Sequence, residues 1–142
     1  MTENIKMPLE GIKVIELATV VAAPTAGRML SAYGAEVIKI ESLAGDDYRV
    51  AGNFERVVCE DYKNPLFTIQ NSGKKLTSIN LKHPDGKAAM LKLLEDADVF
   101  LTNVRTGGLQ RLGLDYESLH ERYPKLVYCL LYTSDAADEA RS

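Results

Sequence analysis

Thiol and imidazole chemistry have little to work with in this sequence, which holds two cysteines and two histidines in 142 residues. Cys59 and Cys129 stand far apart and form no C-x-x-C, and neither His83 nor His120 has a neighbour at ligand spacing. A disulfide framework and a structural metal are therefore not indicated. No run of lysine or arginine is long enough to track a phosphate backbone, and the net charge is −3, which argues against nucleic acid as a partner. The opening residues, MTENIKMPLEG, are polar and lack the apolar segment of a secretory signal. No apolar run approaches membrane-spanning length, so the expectation is a cytoplasmic protein with no membrane partner. Internal repeats and low-complexity segments are also missing.

What is present suits one globular domain: 46% hydrophobic and 26% charged residues can build a core without being disordered. Lys13 to Leu17 is short, apolar and preceded by Gly11, as a buried strand would be. Pro24 fits the first turn of a helix and Gly34 its C-terminal cap, which predicts a helix over Pro24 to Tyr33. Glu36 to Glu41 reads as a second strand, and the three segments together form a βαβ unit with a right-handed crossover. From Ser42 to Lys75 the periodic signal fades into Gly, Asp, Asn and Pro, so at most short elements are expected there. Leu76 to Leu81 then alternates like a strand. In the helix that follows, Met90, Leu93, Leu94 and Ala97 recur at helical spacing and should face the sheet. Asp98 to Asn103 predicts a fourth strand, VRTGGLQRLG a glycine-containing connection, Tyr116 to Arg122 a helix capped by Asp115, and Leu126 the start of a fifth strand. Alternation of this kind, with apolar strands, predicts an α/β fold: a Rossmann-like parallel sheet covered by helices on both faces.

Ligands of open parallel sheets bind beyond the carboxyl ends of the strands. Glu41, ending the second strand, sits where a dinucleotide fold keeps its ribose-binding acid. The turn after the first strand, however, reads ATVVAAP and lacks G-x-G-x-x-G, so the backbone approach that a pyrophosphate needs is missing. A nicotinamide dehydrogenase is thereby disfavoured, and Glu41 reads as a surface or salt-bridging strand-end residue. Lys74, Lys75 and Lys82 flank the third strand, while Arg105 and Arg111 follow the fourth with Gly107 and Gly108 between them. Such cations could hold phosphates, or could be solvated charges balancing the twenty acidic residues. Cys59, with no base nearby in sequence, reads as a free structural thiol rather than a nucleophile.

The segments PLEGIKVIELATVVAAPTAGRMLSAYGAEVIKIES, GKKLTSINLKHPDGK, ADVFLTNVRTGGLQRLGLDYESL and YPKLVY occur in that order from Pro8 to Tyr128. Together they resemble the amino-terminal part of class III CoA-transferases, the formyl-CoA and carnitine CoA-transferase family. IELATVVAAPTAGR, LTNVRT and GLDYESL look most like the branch acting on 2-hydroxy acids, such as phenyllactate and 2-hydroxyisocaproate CoA-transferases. The resemblance implies coenzyme A as substrate and acyl carrier, no metal, a carboxylic acid as second substrate, and an interlocked homodimer for the full-length protein. It implies CoA contacts from Val21 and Ala22 after the first strand, Ile79, Asn80, Leu81 and Lys82 at the third, Asn103, Val104 and Arg105 after the fourth, and Arg111 on a CoA phosphate. Where the family often has an arginine this sequence has Ser42, and Val104 and Thr106 replace a common Phe and Pro, which puts the adenine contacts in doubt. The implied chemistry is nucleophilic attack by an aspartate on an acyl-CoA thioester, leading to an aspartyl-CoA intermediate. That aspartate follows a glycine-rich S-x-x-G-[FY]-G stretch in the family, and neither feature occurs here, so no catalytic residue is assigned. An acyl-CoA racemase of the same family, a standalone CoA- or nucleotide-binding module and a purely structural α/β domain remain as other readings.

The chain closes on CLLYTSDAADEARS. Eleven successive residues, Cys129 to Glu139, coincide with one in-frame translation of a common transposase-based sequencing adapter. Residues 1–128 are therefore expected to be the amino-terminal part of the larger Rossmann-like domain, truncated, and 129–142 a translated adapter to be left out of fold reasoning.

Overall fold

The computed structural model of the protein describes residues 6–49 and 64–131. Five parallel strands lie in the order β3, β2, β1, β4, β5: β1 Lys13–Leu17, β2 Glu36–Glu41, β3 Lys75–Ser78, β4 Val99–Thr102 and β5 Val127–Leu130. Helix α1 (Ala22–Ala32) crosses from β1 to β2, and α2 (Pro65–Asn71) precedes β3. Helix α3 (Pro84–Glu95) leads to β4, while α4 (Thr106–Leu112) and α5 (Tyr116–Arg122) lie between β4 and β5. The expected Rossmann-like α/β fold is thus found, with chain order reversing direction across the sheet at β1 and β4.

Strand alternation sorts the core into two layers. Ile15, Leu17, Ile40 and Phe100 point to one face, where they pack with Met90 and Leu94 of α3, Leu109 of α4 and Leu119 of α5. Val14, Val37 and Leu101 point to the other, against Ala23 and Ala26 of α1. Of the helix residues expected to face the sheet, Met90 and Leu94 are fully buried, and Leu93 and Ala97 pack at the margin of the same cluster.

Local chemistry accounts for the element ends. Gly34, at φ 102°, follows the C-cap of α1, with its N–H donating to Ser31 O and the Ala35 N–H to Leu30 O. This is the Schellman pattern, and it needs a residue that tolerates the left-handed region. Asp115 caps α5 through its carboxylate, which accepts from the Ser118 N–H at 3.1 Å and lies below the usual carboxylate pKa because of that backbone bond.

Several boundaries differ from expectation for identifiable reasons. Helix α1 begins at Ala22, placing Pro24 inside its first turn, where its missing N–H costs nothing. Strand β3 covers Lys75–Ser78 and stops before Ile79, because Asn80 turns the chain: its side-chain oxygen accepts from the Lys82 N–H and its carbonyl from His83. β3 is also exposed along its whole length, so among the described residues no helix covers this edge of the sheet. The connection after β4 contains a helix, α4, despite two glycines, because Leu109 and Leu112 anchor it on the core and Gly113 ends it in the left-handed region. Between Ser42 and Lys75 the described elements are short, as expected: a 3-10 turn at Asp47–Arg49 and α2. Cys59 lies outside the described residues. β5 runs two residues past Tyr128, with Cys129 opposite Leu101 and Leu130 opposite Thr102.

Candidate functional site

The carboxyl ends of β1, β2 and β3 open onto a groove built from two adjoining cavities. The first, of about 360 Å³, is lined by Leu17, Ser42, Leu43, Ala44, Ile79, Asn80, Leu81, Lys82 and Leu112. The second, of about 610 Å³, is lined by Leu81, Lys82, His83, Pro84, Lys87, Gly108, Arg111 and Leu112. Leu81, Lys82 and Leu112 belong to both, so a largely apolar space runs into one with three cations, Lys82, Lys87 and Arg111. The segment Ile79–Lys82 forms its wall because the Ile79 N–H still donates to Glu41 O at 2.9 Å, while Gly86 lets the first turn of α3 approach the Asn80 carbonyl. A Cβ at residue 86 would overlap that oxygen.

Ile79, Asn80, Leu81, Lys82 and Arg111 are therefore brought together. Of the other five candidates, Val21 and Ala22 follow the turn after β1, Asn103 reaches back to it, and Val104 and Arg105 lie between β4 and α4. Val21 is the N-cap of α1 and is exposed, and Ala22 begins the helix. The Asn103 side chain spans from the end of β4 to this turn: its oxygen accepts from the Thr19 N–H at 3.1 Å, and its amide donates to Thr19 O at 2.9 Å. Val104 packs against the core, and its N–H donates to Thr102 Oγ1, while Arg105 is the exposed N-cap of α4. Asn103 thus shapes the turn with both ends of its amide.

Two cations considered for phosphate binding lie elsewhere. The Lys74 side chain is wholly buried, its ammonium 2.7 Å from Glu16, and it also donates to Pro24 O and Asn71 Oδ1. Lys75 is exposed and pairs with Glu36, whose carboxyl it holds below its ordinary pKa through a direct hydrogen bond. Glu41 is buried, engaged by Arg49 through two 2.7 Å bonds and by the Asp46 N–H at 3.0 Å, so of the two expectations for this strand end it is the salt-bridged one and not a surface residue. Sequence reasoning missed Lys87 and Leu112. Lys87 lies one helical turn beyond His83, and that i,i+4 spacing could have placed it beside Lys82. Leu112 could not be found because its segment read as a loop.

Beneath the turn lies a buried ionic network. Glu16 and Lys39, neighbours on β1 and β2, are 3.2 Å apart; Lys39 is 2.9 Å from Asp46, and Lys74 closes on Glu16 from the other side. Their side chains are fully removed from solvent. Burial raises the Glu16 pKa and lowers that of Lys74, each opposed by attraction between the two. Gly27 of α1 leaves the room: a Cβ there would overlap the Glu16 carboxylate.

The model for CoA-transferase family III matches residues 9–137. This chain belongs to that family. It is 44% identical over 122 residues to (R)-2-hydroxy-4-methylpentanoate CoA-transferase of Clostridioides difficile, covering 86% of this chain and 31% of that protein. Against cinnamoyl-CoA:phenyllactate CoA-transferase of Clostridium sporogenes it is 47% identical over 126 residues, covering 89% and 31%. Among solved structures, a CAIB/BAIF family protein from Brucella suis superposes with a TM-score of 0.79 at 38% identity, over 88% of this chain and 33% of that one. The chain spans about a third of the length of these relatives. The resemblance in the sequence, including its 2-hydroxy-acid branch, agrees with these findings.

Proposed function

We propose that this chain is the CoA-holding amino-terminal part of a CoA-transferase that moves CoA between an acyl-CoA and a carboxylic acid of the 2-hydroxy or aryl type. The acid class follows the printed activities of the two bacterial relatives above. The observation that carries the reading is the convergence of Lys82 and Arg111 on one groove beside an apolar cavity, in a chain of this family. CoA offers phosphates to such cations and a long, mostly uncharged arm to such a cavity. Arg111, able to present two N–H groups to one phosphate, is the principal anchor, with Lys82 and Lys87 as point charges. Ile79, Asn80 and Leu81 line the path, and Val21, Ala22, Asn103, Val104 and Arg105 border the arm.

In the complete protein an aspartate outside this chain attacks the thioester carbon of the donor, releasing CoA thiolate and forming a mixed anhydride. The thiolate attacks the aspartyl carbonyl, the donor acid leaves as carboxylate, and an aspartyl-CoA thioester remains for the acceptor carboxylate to attack. Binding of CoA remote from the reacting carbon supplies the energy that orients these steps. The chain by itself, lacking the nucleophile, binds without turnover. The parent is a cytoplasmic interlocked homodimer in this reading, and residues 129–142 are translated adapter, against which stands the family match running on to residue 137. Backbone pairing of Cys129 and Leu130 with β4 is compatible with translated adapter, since ladder bonds do not depend on side-chain identity.

Calorimetric titration of the 142-residue chain with coenzyme A tests the binding claim. Saturable binding is expected, and Arg111→Ala should weaken it about tenfold, the size of losing one charge-assisted pair. No heat of binding, or an Arg111→Ala variant equal to wild type, overturns it.

A further inference from the structure

The turn after β1 is held in a conformation its sequence does not favour. Val20, a β-branched residue, has φ 70°, in the left-handed region that such residues almost never occupy. Strain of that kind persists only where the surroundings impose it. Here the backbone is clamped group by group from other segments. Thr102 Oγ1 donates to Leu17 O at 2.7 Å, Lys39 Nζ to Ala18 O at 2.5 Å, and the Asn103 amide holds both polar groups of Thr19. The Val20 N–H donates to Asp46 Oδ1 at 3.1 Å. The same Asp46 oxygen accepts from the Tyr48 N–H, and its other oxygen lies against Lys39.

Lys39 and Asp46 form the only pair in this set whose members also bind each other, and both side chains are removed from solvent. Lys39 pulls the turn down at Ala18, Asp46 pulls it across at Val20, and Glu16 fixes Lys39 from below at 3.2 Å. We propose that Lys39 and Asp46 are positioning residues, a buried latch that imposes the left-handed turn at Val20 and thereby shapes the surface on which the arm of CoA rests. This rests on the CoA reading above. Neither residue touches CoA. They act through the backbone of residues 18–20, which lies beyond the carboxyl end of β1 and carries the half-exposed Val20 beside Val21.

Two variants of the 142-residue chain test it. Asp46→Ala removes the acceptor for Val20, and Asp46→Asn keeps a carbonyl oxygen for the Val20 and Tyr48 N–H groups while giving up the ion pair with Lys39. Amide hydrogen exchange should show Val20 and Thr19 opening about tenfold faster in Asp46→Ala, with Val14 to Glu16 still protected, and most of that protection restored in Asp46→Asn. Coenzyme A affinity should fall about tenfold in Asp46→Ala, whereas adenosine 3′,5′-bisphosphate, which carries phosphates but no arm, should bind unchanged. General loss of structure would weaken both ligands equally and so overturns the proposal. So does unaltered Val20 protection in Asp46→Ala, or identical Val20 protection in the two variants, which would assign the effect to lost charge in the core. Faster exchange with unchanged CoA affinity removes the positioning role. A wild-type chain that takes up no CoA while showing the exchange contrast overturns the functional reading on which the role depends, and leaves the latch purely structural.

Discussion

Replacing Lys74 with Met should reveal how strongly the buried network depends on balance. The ammonium is removed from solvent and makes three contacts: Glu16 Oε2 at 2.7 Å, Pro24 O at 2.8 Å and Asn71 Oδ1 at 3.0 Å. Met fills most of the volume but none of these. Glu16 would then rely on Lys39 alone, at 3.2 Å, inside a site that already penalises its charge. Removing one partner of a buried pair costs about 3–5 kcal/mol, chiefly the desolvation of the charge left behind. In a domain of this size that lowers the melting temperature by roughly 10 °C or more. The loss depends on pH with a definite sign. Glu16 has a folded pKa above its ordinary 4.5, so the stability it contributes is fully present below that value and declines as pH rises through the raised one. Without Lys74 the folded pKa rises further, and the variant's deficit must be smallest in acid. Urea denaturation of both proteins at about pH 5 and about pH 8 measures this. A deficit below about 1 kcal/mol, or one equal at both pH values, would refute the idea that Lys74 neutralises Glu16.

Two further outcomes follow from single contacts. Gly27→Ala should destabilise by about 1–3 kcal/mol by chemical denaturation, because the new methyl meets a carboxylate that two cations hold in place, and a neutral result would mean that Glu16 can move. Tyr128→Phe removes the bond from the phenol to Leu114 O at 3.0 Å and should cost about 1 kcal/mol at neutral pH. Burial pushes the Tyr128 phenol up to about 12, so its stabilising effect holds below the usual 10 and fades as pH rises to about 12. The variant should therefore lose less stability across that alkaline range, and a spectrophotometric titration that finds Tyr128 ionising near 10 would contradict the buried geometry.

The order of elements was legible in the sequence because its signals are local. Apolar runs of strand length, Pro24 in a first turn, Gly34 past a helix end and Asp115 before one each state their role without reference to distant residues. The site was legible in part, since the residues beyond β3 and Arg111 do share a groove, which topology alone makes plausible at the carboxyl edge of a parallel sheet. Helix α4 was hidden by Gly107 and Gly108, whose low propensity is overridden by the anchoring of Leu109 in the core.

The sequence alone therefore determined the α/β alternation, the missing dinucleotide fingerprint and the family. Only the tertiary structure decided what the charged residues do. Along the chain Glu16, Lys39 and Asp46 carry no signal and Lys74 reads as a phosphate-holding or solvated cation, yet the four become one buried network when β1, β2 and the segments after them pack beneath α1. The physical reason is that an ionisable group's role is set by its distance to opposite charge and to water, and both are fixed by residues far away in sequence.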